Sequence, residues 1–456
     1  METNVSIIGA GLAGSEAAWQ CARLGVAVEL FEMRPERLTP AHRTGDFAEL
    51  VCSNSLKSES ENTAPWLLKE ELRRSGSLLL RIARDCAVPA GHALAVDRTS
   101  FAAKVTEAIS HEPRIRVRHQ EVTQVDREQI TILAPGPLAS DGLVDEIARL
   151  SGTSHLYFYD SISPIVEADS IDMAKVYWAA RYDKGTADYI NCPLSKEEYD
   201  RFYDTLITAQ SIEERDWEKL NYFEGCLPLE EIARRGRDTL RFGPMKPVGL
   251  KDPRTGQMPY AVVQLRQENL RADSYNLVGF QNHLKFGEQG KVLRLIPGLE
   301  NARFLRYGQI HRNTYLNAPS LLAETLQMKQ HPKIFFAGQI CGVEGYVESI
   351  ATGFMAGQHA AALLRRQELV APPRSTALGS LVHYITHANS HNFQPANITF
   401  DLLPPLDENV RDRKERHRRQ CSLALRELDH WIGGLARTGL ARMPNADCLC
   451  CDGKGQ

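Results

Sequence analysis

Val5-Ser6-Ile7-Ile8-Gly9-Ala10-Gly11-Leu12-Ala13-Gly14-Ser15-Glu16-Ala17-Ala18 decides the fold of this chain. An apolar run, glycines spaced Gly-x-Gly-x-x-Gly and a succession of small residues predict strand, tight turn and helix, the opening of a dinucleotide-binding unit. Each glycine has its own physical reason. Gly9 allows the turn, Gly11 lets backbone N–H groups approach a diphosphate at the positive end of the helix, and Gly14 lets that helix pack on the sheet. Ala10, Leu12 and Ala13 complete the predicted cofactor contact. A second apolar run, Val26 to Phe31, ends in Glu32. That is roughly the 20-residue interval at which an acid accepts hydrogen bonds from an adenosine ribose. A glycine triad alone also occurs in structural turns; strand, helix and acid together predict an adenine dinucleotide.

Composition sets the frame around this unit. At 456 residues the chain exceeds the roughly 100–200 residues of one domain, which predicts two domains or one with an insertion. Hydrophobic residues at 43%, charged residues at 24% and a net charge of −3 exclude a disordered or uniformly basic protein, so a nucleic-acid partner would have to meet a local basic patch. No apolar run reaches the roughly 18 residues of a membrane span. The first strand begins too early to leave room for a signal peptide, and the ten cysteines form no regular framework. A cytoplasmic protein with reduced thiols is expected.

Outward from the glycine turn, Thr39 to Leu56 is a polar segment containing Cys52, placed where such folds carry a loop near the cofactor. Trp66 to Arg84 has apolar residues at helical spacing and predicts a helix. Val88–Phe101, Arg114–Val125 and Gln129–Leu133 predict strands returning to the sheet, and Ala134-Pro135-Gly136-Pro137 a loop approaching the cofactor from the other side. From about Asp169 to Asn276 aromatic residues and charges become dense and the strand-turn-helix grammar disappears, which predicts an inserted domain. Sheet grammar returns with Tyr275–Phe280 and with Lys333–Gly338. The run from Gly338 to Gly353 then leads from strand to glycine-marked helix. Such a late element approaches the flavin end of FAD, so Gly338, Gln339, Glu344 and Tyr346 join the predicted cofactor site and FAD is preferred over NAD. Pro372-Pro373 marks a linker, and a helix is expected from about Glu408 to Gly433. The predicted fold is α/β: a Rossmann-like FAD-binding domain (1–168 and 277–456, with the C-terminal helix) carrying a smaller inserted α/β domain (169–276).

Longer motifs identify a family. Glu32-Met33-Arg34-Pro35, Phe47-Ala48-Glu49-Leu50-Val51-Cys52-Ser53-Asn54-Ser55-Leu56, Arg181-Tyr182-Asp183-Lys184-Gly185, Phe223-Glu224-Gly225-Cys226-Leu227-Pro228, Phe242-Gly243-Pro244-Met245-Lys246-Pro247-Val248-Gly249 and Arg294-Leu295-Ile296-Pro297-Gly298 follow one another in order. Over nearly its whole length the chain resembles the folate- and FAD-dependent tRNA (uracil-5-)methyltransferases, the TrmFO family. The FAD-binding grammar is shared with the larger GidA (MnmG) proteins, whose C-terminal extension this chain lacks. Two departures stand out: Ala134-Pro135-Gly136-Pro137 replaces Ala-Thr-Gly-Pro, and the tail Cys448-Leu449-Cys450-Cys451 is foreign to the pattern. No metal is expected from those tail thiols, which lack two separated ligand pairs.

The resemblance implies methylation of uracil C5 in the tRNA T-loop, with 5,10-methylenetetrahydrofolate as one-carbon donor, reduced FAD as hydride donor and NADPH or NADH re-reducing the flavin. Uracil C5 is a poor nucleophile until a thiolate adds at C6, and a base must later remove the C5 proton. The resemblance puts the catalytic cysteines at Cys226 and Cys52. Cys226 is assigned as nucleophile and Cys52 as base, with the converse open. Cys192 and Cys341 are expected to be structural. A folate pocket calls for an imidazole or aromatic stack with basic groups, and Arg266, Gln281, His283 and Lys285 are the candidates. For RNA the candidate patch is Arg411 to Arg419, six basic against two acidic residues, with Arg411, Arg413, Lys414 and Arg416 as phosphate contacts. A charge run of this kind is also an ordinary solvated face. A second basic group, Arg234 to Arg241, follows Cys226. A ribosomal RNA uridine, or GidA-like wobble modification, is the alternative target. No membrane and no stable protein partner are implied.

Overall fold

The computed structural model describes residues 4–152, 156–161, 163–183, 186–212, 227–308 and 310–437. The opening run forms the strand Asn4–Ile8, flanked in parallel by Ala27–Glu32 and Thr131–Leu133. Ile334–Phe336 and Ile115–His119 complete a five-stranded parallel sheet in the order 334–336, 131–133, 4–8, 27–32, 115–119. Val5, Ile7, Leu30, Ile132 and Phe335 are fully buried, as continuous apolar strands covered on both faces require. Two helices cross closely on one face, Leu12–Arg23 and Tyr346–Leu364. A Cβ at Gly353 would stand 2.2 Å from the Ala13 carbonyl oxygen, so the glycines of the second helix and the alanines of the first set the approach.

A second, six-stranded sheet is antiparallel where its pairings are described, in the order 177–179, 189–194, 261–267, 274–277, 165–167, 304–306. It has its own core, from Val166 to Ala302, in which Tyr199, Phe202 and Phe280 are fully buried. Many aromatics of the 169–276 stretch are therefore packing residues. The strands Ile165–Glu167 and Phe304–Arg306 come from either side of that stretch, and Ser274–Leu277, where the sequence suggested a return to the first sheet, belongs to this second one.

Other elements also depart from expectation. Trp66–Arg84 is two helices, Ala64–Arg74 and Leu78–Asp85, broken at Gly76, whose φ is +84°. The buried Glu16 carboxylate accepts the N–H groups of Leu78 and Leu79 and the Ser77 hydroxyl, so a residue of the opening helix caps the second piece. Apolar spacing runs through the break and hid it. Within Val88–Phe101 only Ala87–Val88 and Ala93–Val96 are strands, and they join Ser55–Ser58 in a separate three-stranded sheet rather than the main one. Asp97 then caps the helix Arg98–Ser110 by accepting from Ser100 N–H. The strand expected over Arg114–Val125 is Ile115–His119, and the last helix is Arg413–Arg437.

Candidate active site

The glycine turn opens onto a cleft at the carboxyl ends of the parallel strands. Gly9 sits at φ +100°, and a Cβ there would lie 2.3 Å from the Ala134 carbonyl oxygen. A Cβ at Gly14 would lie 1.7 Å from the Gly9 oxygen, whereas one at Gly11 would meet nothing within 4 Å. The backbone is thus closed on two sides and open on the third. Gly11 begins the helix Leu12–Arg23 with no side-chain cap, and Gly11, Leu12 and Ala13 line the cleft. A bare helix N-terminus in an open cradle suits a diphosphate. Ala10 and Gly14 lie behind the lining and shape it.

Glu32 lines the same cleft but is nearly buried, and the protein already grips it. It accepts from Ala10 N–H at 2.9 Å, from Arg34 N–H at 3.1 Å and from Arg34 Nε and Nη2 at 2.9 and 3.2 Å. Burial works against its charge, but the hydrogen bonds and charge of Arg34 outweigh that and hold the carboxyl below its ordinary value. A carboxylate has about four acceptor positions. A ribose hydroxyl donating to Glu32 must therefore share an oxygen with Arg34 or Ala10. Arg34, 2% exposed, is the residue that the glycine-and-acid pattern missed; its guanidinium also reaches Glu49 at 3.4 Å, tying the turn to the Cys52 segment.

Across the cleft lie Ala134 to Pro137, Gly338, Gln339 and Tyr346. Glu344 stands behind them, accepting from Gln339 Nε2 at 3.0 Å. The Tyr346 hydroxyl accepts the N–H groups of Cys52 at 2.9 Å and Ser53 at 3.0 Å. Cys52 is half-buried, while the other five cysteines among the described residues are buried. Burial pushes Cys21 and Cys421 to about 12 and raises Cys192 and Cys341 as well, which marks them as packing residues.

The Cys52 segment is held from the second sheet. Arg98 donates to the carbonyls of Leu50 at 2.7 Å and Cys52 at 3.2 Å, and pairs with Glu268 at 2.6 Å. Arg266 donates Nε to Asn54 Oδ1 at 3.0 Å and Nη2 to Ser53 Oγ at 2.9 Å. Arg306 adds a third cation: burial and the charges of Arg98 and Arg43 lower its guanidinium to about 10, and its Nε has no hydrogen-bond partner among the described residues.

The structure divides the four residues grouped for folate. Arg266 is 7% exposed and serves as a strut for the Cys52 segment. Gln281, His283 and Lys285 gather elsewhere. The Gln281 carbonyl accepts Leu229 N–H at 2.7 Å, His283 N–H donates to Glu230 at 2.8 Å and Lys285 Nζ donates to Gln210 at 3.2 Å. None of the three lines the cofactor cleft. Burial raises Glu230 to about 7 and its Oε2 has no partner among the described residues, a feature that composition and spacing do not signal. Cys226, four residues earlier, lies outside the described residues, as do Cys448, Cys450 and Cys451. Arg411, Arg413 and Lys414 are exposed near the start of the last helix, and Arg416 turns back to the Val410 carbonyl at 3.3 Å.

A parallel sheet with a glycine cradle at the carboxyl end of its central strand and a ribose-side acid defines a protein of the FAD-binding type. The family model described as glucose inhibited division protein A matches residues 4–368. Among solved structures, GidA of Aquifex aeolicus aligns over 97% of this chain and 77% of that one, with a TM-score of 0.71 at 16% identity. Sequence relatives sharpen this: a protein of Koribacter versatilis is 72% identical over 95% of this chain and 98% of its own length, and one of Solibacter usitatus is 62% identical over 94% and 99%. Both are named methylenetetrahydrofolate–tRNA-(uracil-5-)-methyltransferase TrmFO, and the chain belongs to that family. No helix among the described residues is long and apolar enough to cross a membrane.

Proposed function

We propose that this protein methylates C5 of the T-loop uracil in tRNA, in the cytoplasm, taking the carbon from 5,10-methylenetetrahydrofolate. The observation that carries the reading is the Cys52 segment. It bears the one half-buried thiol among the described cysteines and is fixed between Tyr346 on the cofactor side and Arg98 and Arg266 on the other. The glycine cradle and Glu32 would hold FAD, which would supply the hydride and be re-reduced by NADPH or NADH. Cys226 adds to uracil C6, placing electron density on C5, which bonds to the folate methylene carbon. Cys52 then takes the C5 proton as the bond between the methylene carbon and the folate nitrogen breaks and tetrahydrofolate leaves, so that C5 carries an exocyclic methylene while Cys226 stays on C6. Hydride addition to that methylene carbon re-forms the C5–C6 double bond and expels the Cys226 thiolate. Arg98 and Arg306 face a negative charge developing on Cys52. Their role is to hold it without a solvent proton, since a charge-assisted contact away from water outweighs one in water.

For RNA, Arg411, Arg413 and Lys414 are assigned to phosphate, and the second sheet with its flanking strands forms the substrate domain. Gln281, His283 and Lys285 are assigned to folate or RNA on that domain. The test is product analysis: incubate the protein with methylenetetrahydrofolate, NADPH or NADH and either undermodified tRNA or ribosomal RNA, and map 5-methyluridine by mass spectrometry. Product in the tRNA T-loop is expected. Product in ribosomal RNA alone, or in neither, overturns the assignment.

A further inference from the structure

Two motifs that the chemistry above leaves unused, the one opening Arg181-Tyr182-Asp183 and the run Phe242–Gly249, meet in space. Arg181 donates Nη1 to the carbonyls of Lys246 at 3.0 Å and Val248 at 2.6 Å, and Tyr182 N–H donates to the Gly249 carbonyl at 2.6 Å. Tyr182 and Asp183 both sit at positive φ, +62° and +52°, a conformation side-chain-bearing residues adopt at a cost and keep where the surroundings enforce it. The Tyr182 ring lies against Gly249, where a Cβ would come within 2.8 Å of it. What this clamp and the start of its second motif present is apolar and uncovered: Tyr182 is 55% exposed, Phe242 81% and Val248 42%. Phe242 ends a four-residue helix and lies open to solvent, while Leu240, two residues earlier, is fully buried in the core. Large apolar side chains held out in water on two motifs that meet mark an interaction surface.

Charge and position select the partner. Arg181 lies within the clamp, Lys246 beside it has no ion-pair partner among the described residues, and Asp183 is the single acid in the turn. Aromatic faces interleaved with cations suit unpaired bases and their phosphates. Arg181 Nη2 also donates to Gln264 at 2.8 Å. Gln264 is two positions from Arg266 on the strand Ala261–Gln267, hence on the same face and about 7 Å along it. Arg266 in turn holds Ser53, the neighbour of Cys52. The surface therefore lies one side-chain relay from the reactive segment.

We propose that Tyr182 and Phe242, with Val248 beside the clamp, form a stacking platform for unpaired loop bases of the RNA substrate, holding the loop while its target uridine turns out toward Cys52. The platform rests on the tRNA methyltransferase reading. Its test measures methylation KM and tRNA binding of the full-length protein carrying Tyr182→Ala, Phe242→Ala or both, with FAD content and thermal melting checked for folding. Losing one stacked base weakens binding by about five- to a hundredfold. Each alanine variant is expected to raise KM for tRNA within that range and to leave the salt dependence of binding unchanged. Tyr182→Phe and Phe242→Tyr should restore it, and Lys246→Ala should flatten the salt dependence instead. Alanine variants with wild-type KM overturn the platform, as does an altered oligomeric state with tRNA binding intact. A wild-type protein that makes no 5-methyluridine overturns the underlying reading instead.

Discussion

The two sides of the active cleft are built from different materials. On the cofactor side the contacts are made by backbone: positive-φ Gly9, the open Gly11, the close fit of Gly14 and an uncapped helix end. On the substrate side they are made by side chains from remote parts of the chain, with Arg266 reaching Ser53 and Asn54, and Glu268 pairing with Arg98. Backbone sites need particular residues at fixed local spacing, because only certain residues permit the conformation. Side-chain sites need only that two distant segments meet, and no spacing records that.

The largest expected effect falls where the two materials touch. Arg34→Ala would strip the buried Glu32 of its partner and leave a carboxylate nearly without solvent, which costs about 3–5 kcal/mol when one member of a buried pair is removed. Chemical denaturation should show a loss of that order, and the protein should purify without FAD. The double variant Arg34→Ala/Glu32→Gln should lose less than the sum of the single changes. Additive losses would mean that the pair does not act as one clamp.

Gly14→Ala comes next. Its Cβ would collide with the Gly9 oxygen, so helix and turn must separate, and overpacking of this sort costs about 1–3 kcal/mol. Because that separation opens the diphosphate cradle, FAD content should fall further than stability. Gly11→Ala, whose Cβ would meet no protein atom, should keep its melting temperature and still bind FAD less well. Equal melting losses in the two variants would erase the distinction between a packing glycine and a ligand glycine.

On the substrate side, Arg266→Lys keeps the charge but cannot span Asn54 and Ser53 together, leaving a buried acceptor unmet at about 1–3 kcal/mol. The comparison predicts the reverse of the glycine variants: full FAD content by absorbance, with methylation reduced about tenfold or more. Loss of FAD in this variant would place Arg266 on the cofactor side.

What could be read from the residues follows the same division. The opening strand, turn and helix, the acid after the second strand and the loop from Ala134 all stand where local spacing put them. Cys52 was reached through its motif, not its spacing. The break at Gly76 escaped because the residue that caps it, Glu16, is remote in sequence. The second sheet escaped at both ends of its stretch of sequence because Ile165–Glu167 and Phe304–Arg306, which lie together at one edge of the sheet, are three residues long and pair only with each other and with Ser274–Leu277. Such short segments carry too few residues to establish a period. Arg266 looked like a folate ligand because it is basic and near a motif. In the fold its Nε and Nη2 donate to Asn54 and Ser53, a contact between distant segments that no spacing records.

The basic patch gives the smallest effect and the one with opposed signs. Arg418 and Arg419 are committed to Glu415, which they hold down to about 2, so Arg411, Arg413 and Lys414 are the exposed charges available to phosphate. Arg413 and Lys414 occupy the first turn of the last helix, where the helix dipole disfavours cations. Replacing both with Gln should therefore stabilise the helix slightly, by about 0.3–1 kcal/mol each at low salt. The same change should weaken tRNA binding and lower the magnitude of the log–log salt slope by about one for each phosphate that is no longer neutralised. Stability rising while affinity falls is the signature of charges kept for a ligand. A rise in both would make this an ordinary solvated face and move the RNA contact wholly onto the second sheet.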